Sequence, residues 1–153
     1  MDQRLRLAPI VEVDLSLIRD SAQHMVTDGA SPPEREELVS RLRDELLPRW
    51  PDEWLILERE RWDQLRLHAL ERLAERLCRE GEYLDAYQTA LTATQIDPIR
   101  ETAQRILVEI HLAEGNRACA VKRYQEYRRL LRRELEVEPS PLMTRLVQDA
   151  ISA

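Results

Sequence analysis

The sequence predicts an all-α fold built from helical hairpin repeats, and three observations carry that prediction. Three Gly and no Phe stand in a chain of 153 residues whose charged fraction is 34%, rich in Leu, Ala, Glu and Arg; such a mixture favours helices over strands. From Asp52 to Glu80 there is neither Gly nor Pro, and apolar residues recur at three- to five-residue intervals. Gly81 and Gly115 lie 34 residues apart, each preceded by Glu. The apolar fraction of 43% suffices for a core, and a chain of this length buries about 70% of its unfolded surface on folding. No apolar run approaches the roughly 20 residues of a membrane span, and the start, Met1-Asp2-Gln3-Arg4, has no signal-peptide core. Two Cys cannot build a disulfide framework. A soluble, cytoplasmic, single helical domain is the expectation.

Along the chain, Leu5-Arg6-Leu7 and Val11-Glu12-Val13 alternate around Ala8-Pro9, which predicts a short N-terminal β segment. Asp14 reads as a helix N-cap, with Leu15, Ile18, Ala22 and Met25 at helical spacing until Asp28-Gly29. Ser31 and Glu34 have capping-box spacing around Pro32, and Leu38, Leu42 and Leu46 stripe the following helix as far as Pro48. Trp50 and Trp54 predict a packed corner, with Asp52 as a further N-cap. Trp54, Leu57, Trp62, Leu65, Ala69, Leu73 and Leu77 then mark one face of a long helix ended by Gly81. The next helix runs from about Tyr83 to Gln95 and stops at Asp97-Pro98, because proline disfavours helical backbone in the residue before it.

The repeat is the most informative feature. At an offset of 34, Leu73 matches Leu107, Glu75 matches Glu109, Glu80 matches Glu114 and Ala86 matches Ala120. Each copy reads helix, Glu-Gly turn, helix, and the pair resembles tetratricopeptide repeats, whose period is 34 residues. The second copy departs from the first: Tyr124 and Tyr127 stand where Ala90 and Ala93 do, and Arg132 stands opposite Pro98, so its last helix runs on to about Leu135. Ser140-Pro141 then opens a short final helix through Leu142, Leu146 and Ile151, a suitable cap for a repeat stack.

A longer match covers nearly the whole chain. Its residues are Leu46-Leu47-Pro48 with Trp50 and Trp54, Leu57-Glu58-Arg59-Glu60-Arg61, Leu65-Arg66-Leu67-His68-Ala69-Leu70-Glu71 and Ala74-Glu75-Arg76-Leu77. The most specific stretches are His111-Leu112-Ala113-Glu114-Gly115-Asn116-Arg117 and Tyr124-Gln125-Glu126-Tyr127-Arg128-Arg129-Leu130-Leu131, followed by Val137-Glu138-Pro139-Ser140-Pro141. In this order they resemble the bacterial transcriptional activator domain of actinobacterial antibiotic-regulatory (SARP-type) activators. The resemblance implies an all-helical, tetratricopeptide-like module that follows an OmpR-type winged-helix DNA-binding domain. Residues 1–14 then correspond to the junction with that domain. Residues 15–153 correspond to the helical domain, with repeats at about 67–100 and 101–138 and a capping helix at 141–151. The winged helix is missing from this sequence, which reads either as an excised piece or as a regulator without its own DNA reader.

Catalytic chemistry finds little support. His24, His68, His111, Cys78 and Cys119 show no CxxC, HxxxH or HExxH spacing, no carboxylate pair stands out, and glycine is too scarce for a phosphate-binding loop. No cofactor, no metal site and no enzymatic activity are expected. Charge is more telling. Lys122 is the only lysine, so 22 of 23 basic residues are Arg, which fits arginine's planar, bidentate chemistry and equally a GC-rich genome. Residues 117–133 carry seven basic groups and one acidic, a net of +6, leaving −12 on the other 136 residues. With Tyr124, Tyr127, Leu131 and Leu135 as the apolar stripe of that helix, Lys122, Arg129 and Arg133 face outward. Lys122, Arg123, Arg129, Arg132 and Arg133 are the candidate partner-binding residues, set against the plainer reading of a solvated face neutralised by neighbouring Glu.

Tetratricopeptide geometry, in which first helices line a concave groove, supplies a second candidate set: His68, Glu71, Glu75, Thr102, Arg105 and Glu109. Helix-pair packing explains the same residues without a ligand. The resulting expectation is a non-enzymatic regulatory module of a transcription activator. By resemblance it packs on a winged-helix domain and mediates dimerisation, contact with RNA polymerase subunits or both, with no sequence-specific DNA binding of its own and no membrane association. The alternative is a free-standing helical-repeat adaptor for a peptide or protein partner.

Overall fold

The computed structural model describes residues 14–28 and 35–152. Seven helices make up the described chain: α1 (Asp14–Asp28), α2 (Arg35–Leu42), α3 (Trp54–Glu80), α4 (Tyr83–Ile96), α5 (Glu101–Ala113), α6 (Arg117–Leu135) and α7 (Pro141–Ser152). The fold is all-α, with no strand among the described residues. The expected β segment before Asp14 and the Ser31–Glu34 capping box lie outside those residues.

The two hairpins α3–α4 and α5–α6 are built by the same local chemistry, 34 residues apart. Gly81 and Gly115 both take the left-handed conformation, at φ 81° and 79°, which a Cβ disfavours. The Glu82 amide donates to the Leu77 carbonyl at 2.9 Å, and the Asn116 amide donates to the His111 carbonyl at 2.7 Å. Each following helix opens with an equivalent bond, Ala86 to Glu82 at 2.9 Å and Ala120 to Asn116 at 3.1 Å. Ala86 and Ala120 are fully buried, so the second helix of each hairpin closes against the first without a bulky side chain between them. Asp97 leaves α4 in extended backbone immediately before Pro98. Ser140 caps α7, its hydroxyl accepting from the Met143 amide at 3.2 Å, with Pro141 as the first helical residue.

The core has two parts that meet on opposite sides of α5. Ile106, Leu107 and Ile110 join a cluster with Leu42, Trp62, Leu70, Leu73, Leu77 and the buried alanines of α4. Val108 joins Ala120, Tyr127 and Leu131 of α6 with Met143 and Val147 of α7. Helix α1 packs on α3, and Ala22 and Met25 enter the first cluster.

Several expectations about the first helices need correction. Helix α2 ends at Leu42 rather than running to Pro48. The reason lies in α3, whose side chains hold the carbonyls of the chain that follows. The buried Arg66 guanidinium donates to the carbonyls of Leu42, Arg43 and Asp44 at 3.4, 3.0 and 3.3 Å, and to Asp63 Oδ1 at 2.8 Å. Trp62 Nε1 donates to the Asp44 carbonyl at 3.0 Å. Arg59 reaches the carbonyls of Leu46, Leu47 and Trp50. Leu47, which sits in this clasp, has a positive φ of 47°. The guanidinium and indole donors satisfy carbonyls that no helical amide reaches once α2 has ended.

Trp50 and Trp54, expected to fill a corner, are 54% and 62% exposed, and Leu57 is 53% exposed. The apolar face of α3 therefore starts at Leu55 and Trp62. Asp52 supplies a backbone carbonyl to the Leu55 amide, while Glu53 occupies the cap position of α3 with no side-chain bond.

Candidate protein-interaction surfaces

Helix α6 is fixed by its tyrosines. The Tyr127 hydroxyl donates to the Ile99 carbonyl at 3.1 Å, and Tyr124 pairs with the Thr144 hydroxyl at 3.1 Å, tying α6 to the α4–α5 connection and to α7. Burial, reinforced by the Glu101 carboxylate, pushes the Tyr127 phenol well above its usual range. Glu101 also accepts the Ser140 amide at 2.9 Å, so one carboxylate joins the start of α5 to the start of α7. With this face anchored, Lys122, Arg129, Arg132 and Arg133 all stand exposed on the opposite side and Arg123 is half-buried.

Local carboxylates already engage part of that basic set. Arg128 and Arg132 share Glu138, the Arg128 bond measuring 2.6 Å. The two guanidinium groups hold the Glu138 carboxyl below the usual carboxylate range. Arg123 stands 4.0 Å from Glu126, and Arg133 pairs with its neighbour Glu134 at 2.7 Å. Lys122 and Arg129 form no ion pair among the described residues. Leu135, expected in the buried stripe, is 50% exposed, because α6 ends there and Glu136 turns left-handed at φ 58°.

The second candidate set divides. Glu71 is 4% exposed and bound by Arg100 in a two-pronged pair, Nε to Oε1 at 2.6 Å and a terminal nitrogen to Oε2 at 3.0 Å. It thus braces α3 against the α4–α5 connection and does not line an open groove. His68 is exposed, with Nδ1 2.7 Å from the Gln64 carbonyl oxygen. Thr102 is half-buried. Glu75 and Glu109 do meet, across a cleft of about 260 Å³ between α3 and α5 that Cys78, Arg79 and Ile106 complete. Arg105 ion-pairs with Glu109 one turn away on α5. Burial first, then the charges of Glu109 and Glu114, raise the Cys78 thiol, which keeps it protonated and poorly nucleophilic.

Sequence reasoning missed Arg100, Cys78, Arg79 and Ile106 as neighbours of these residues, and Glu138 as the acid that neutralises two arginines of α6. Glu138 follows a chain reversal, so no helical spacing links it to Arg128 or Arg132. Among the described residues no group of three or more His, Cys, Asp or Glu is placed to hold a metal ion, and no helix is long and apolar enough to cross a membrane.

Comparison with curated proteins returned no match, and comparison with solved structures returned none. The family model described as the bacterial transcriptional activator domain matches residues 21–151, which spans α1 from its second turn through α7 to its last residues. With helical hairpins at the expected period and a match over most of its length, the chain belongs to the bacterial transcriptional activator domain family, a family of transcription-regulator modules.

Proposed function

We propose that the chain is the regulatory, protein-interaction module of a bacterial transcriptional activator, without enzymatic activity and working in the cytoplasm. In this reading residues 15–153 are one helical domain of two repeats and a capping helix, docked beside a winged-helix DNA-binding domain. The exposed face of α6 contacts RNA polymerase. The observation that carries the contact is the pair Lys122 and Arg129, exposed on one face of a helix and without carboxylate partners among the described residues, on a chain of net charge −6. Arg133 extends the same face by one turn, since 122, 129 and 133 fall within a narrow arc at 3.6 residues per turn. A narrow basic strip in an acidic body suits an acidic protein surface better than a phosphate backbone, which the remaining −12 repels. Dimerisation through the same face is a compatible outcome.

The test is a gel shift of the purified chain on promoter DNA at physiological salt. The chain alone gives no sequence-specific shift; tight, specific binding would overturn the reading. The α3–α5 cleft favours a second reading, a helical-repeat adaptor that takes a peptide between Glu75 and Glu109. Loss of a partner on Glu75→Arg, with Lys122→Glu and Arg129→Glu silent, would select it.

A further inference from the structure

Large apolar side chains gather at the N-terminal end of α3. Trp54 and Leu57, three residues apart, share one side of that helix. Trp50 is brought to the same end by Arg59, which binds its carbonyl at 2.8 Å. All three are more than half exposed, and so is Leu17 on the first turn of α1. A group of exposed large apolar side chains marks an interaction surface, and two of these are tryptophans.

The path of the chain shows what joins the body beside this patch. Arg35, at the start of α2, reaches Glu82 and Asp85 just past the end of α3. The carbonyls of residues 42–44 then meet Arg66, and those of 46, 47 and 50 meet Arg59. The chain from 35 to 50 therefore travels back along α3 towards its start. Arg19 of α1 lies 3.7 Å from Glu58 of α3. Six residues separate Asp28 from Arg35, a reach of about 25 Å at most. An α1 antiparallel to α3 would leave Asp28 roughly 50 Å from Arg35, so α1 runs in the same sense as α3. Asp14 then lies about 7 Å beyond Arg19, towards the end where Trp54 stands one turn before Glu58. Residues 1–13 thus enter the described chain next to the two tryptophans.

Those residues have the pattern such a patch suits. Leu5, Leu7, Pro9, Val11 and Val13 occupy every second position, with Arg4, Arg6 and Glu12 between them. In extended chain that alternation puts the five on one side, and the described residues hold no strand that could cover them. Nine residues from 5 to 13 extend about 30 Å from Asp14, several times the rise from Trp54 to Leu57. Charge agrees. Between residues 49 and 60, Asp52, Glu53 and Glu60 outnumber Arg49 among the exposed charges without an ion pair to a described residue, and Arg4 and Arg6 supply the opposite sign. We infer that residues 5–13 of this chain dock along the Trp50, Trp54 and Leu57 face of α3, their odd-numbered side chains against the rings. The folded body then begins near Leu5 rather than at Asp14. The surface is on a different helix from the contact proposed for α6 and does not depend on it.

Limited trypsin digestion of the full chain, followed by mass spectrometry, tests it at the Arg6–Leu7 bond, with a synthetic peptide of residues 1–13 as the unrestrained reference. A protease cuts the fraction of molecules in which the segment is released, so the wild type is cut at least about tenfold more slowly than the peptide. The pair Trp50→Ser with Trp54→Ser, and separately Val11→Asp with Val13→Asp, bring cleavage back towards the peptide rate. Trp50 and Trp54 lie outside both core clusters, so the circular dichroism spectrum stays unchanged. In NMR, methyl NOEs from Leu5, Leu7, Val11 or Val13 reach the rings of Trp50 or Trp54, and filtering for contacts between differently labelled copies removes them. Cleavage of the wild type at the peptide rate, equal rates in wild type and tryptophan variant, or absence of those NOEs would each overturn the inference. NOEs that survive the filter would also overturn it, because they put the segment of a second copy on this face.

Discussion

Arg66 shows how much one side chain can decide. It is 4% exposed and donates to three backbone carbonyls and one carboxylate, so it ends α2 and fixes where the next segment starts. Arg66→Met keeps the stem and removes the donor from the buried Leu42 carbonyl and the partly buried Arg43 carbonyl. The expected loss is about 2–4 kcal/mol, read from the urea midpoint. Gly81→Ala isolates a different effect. A Cβ there meets nothing within 4 Å, so its cost is conformational only, about 1 kcal/mol from φ of 81°. Gly115→Ala, in equally open space at φ 79°, should cost the same within measurement error. Unequal losses would mean the two turns are not energetic copies.

At the scale of elements, the ion pairs of α6 decide which charges stay available. Glu138 is held below its ordinary value of 4.5 by Arg128 and Arg132. A carboxylate depressed in the folded state contributes its stabilisation above the unfolded value, and loses it as pH falls through the folded one. The clamp therefore persists at neutral pH and releases only in acid, below the range where free Glu titrates. Following the Glu138 carboxyl carbon by NMR gives a midpoint under 4.5, and Arg128→Ala moves that midpoint upward; an unmoved midpoint would discount the clamp.

This scale also shows what could be read in advance. The hairpin turns were legible because Gly and its flanking residues act within one turn of chain, and so was the outward arc of Lys122, Arg129 and Arg133, which periodicity alone places. The end of α2 was not legible, because its carbonyls are taken by Arg59, Trp62 and Arg66, at least nine residues further on. Trp50 and Trp54 were misplaced for a related reason. Hydrophobicity says what a side chain prefers, while the arginine clasp sets the path that turns both rings outward. Glu71 was placed in a groove by repeat register, but register carries no information about Arg100, its partner from the α4–α5 connection.

For the whole molecule, α5 is the wall shared by both halves of the core. Leu107 faces the first cluster and Val108 the second, and both are fully buried. Leu107→Ala should lose about 2–5 kcal/mol as cavity and transfer terms add, with α3–α4 and α6–α7 melting in one transition. Two separate transitions would mean that α5 does not couple the halves. The same rigidity makes the exposed face of α6 a fixed platform, its tyrosines anchored to Ile99 and Thr144.

The most direct test of the account is binding of the purified chain to bacterial RNA polymerase holoenzyme, measured by biolayer interferometry for wild type and for Lys122→Glu, Arg129→Glu. The account predicts salt-sensitive binding by the wild type and at least about a tenfold loss in the charge-reversed variant, with helicity and melting temperature unchanged. No binding by the wild type, or equal binding by both, would contradict it.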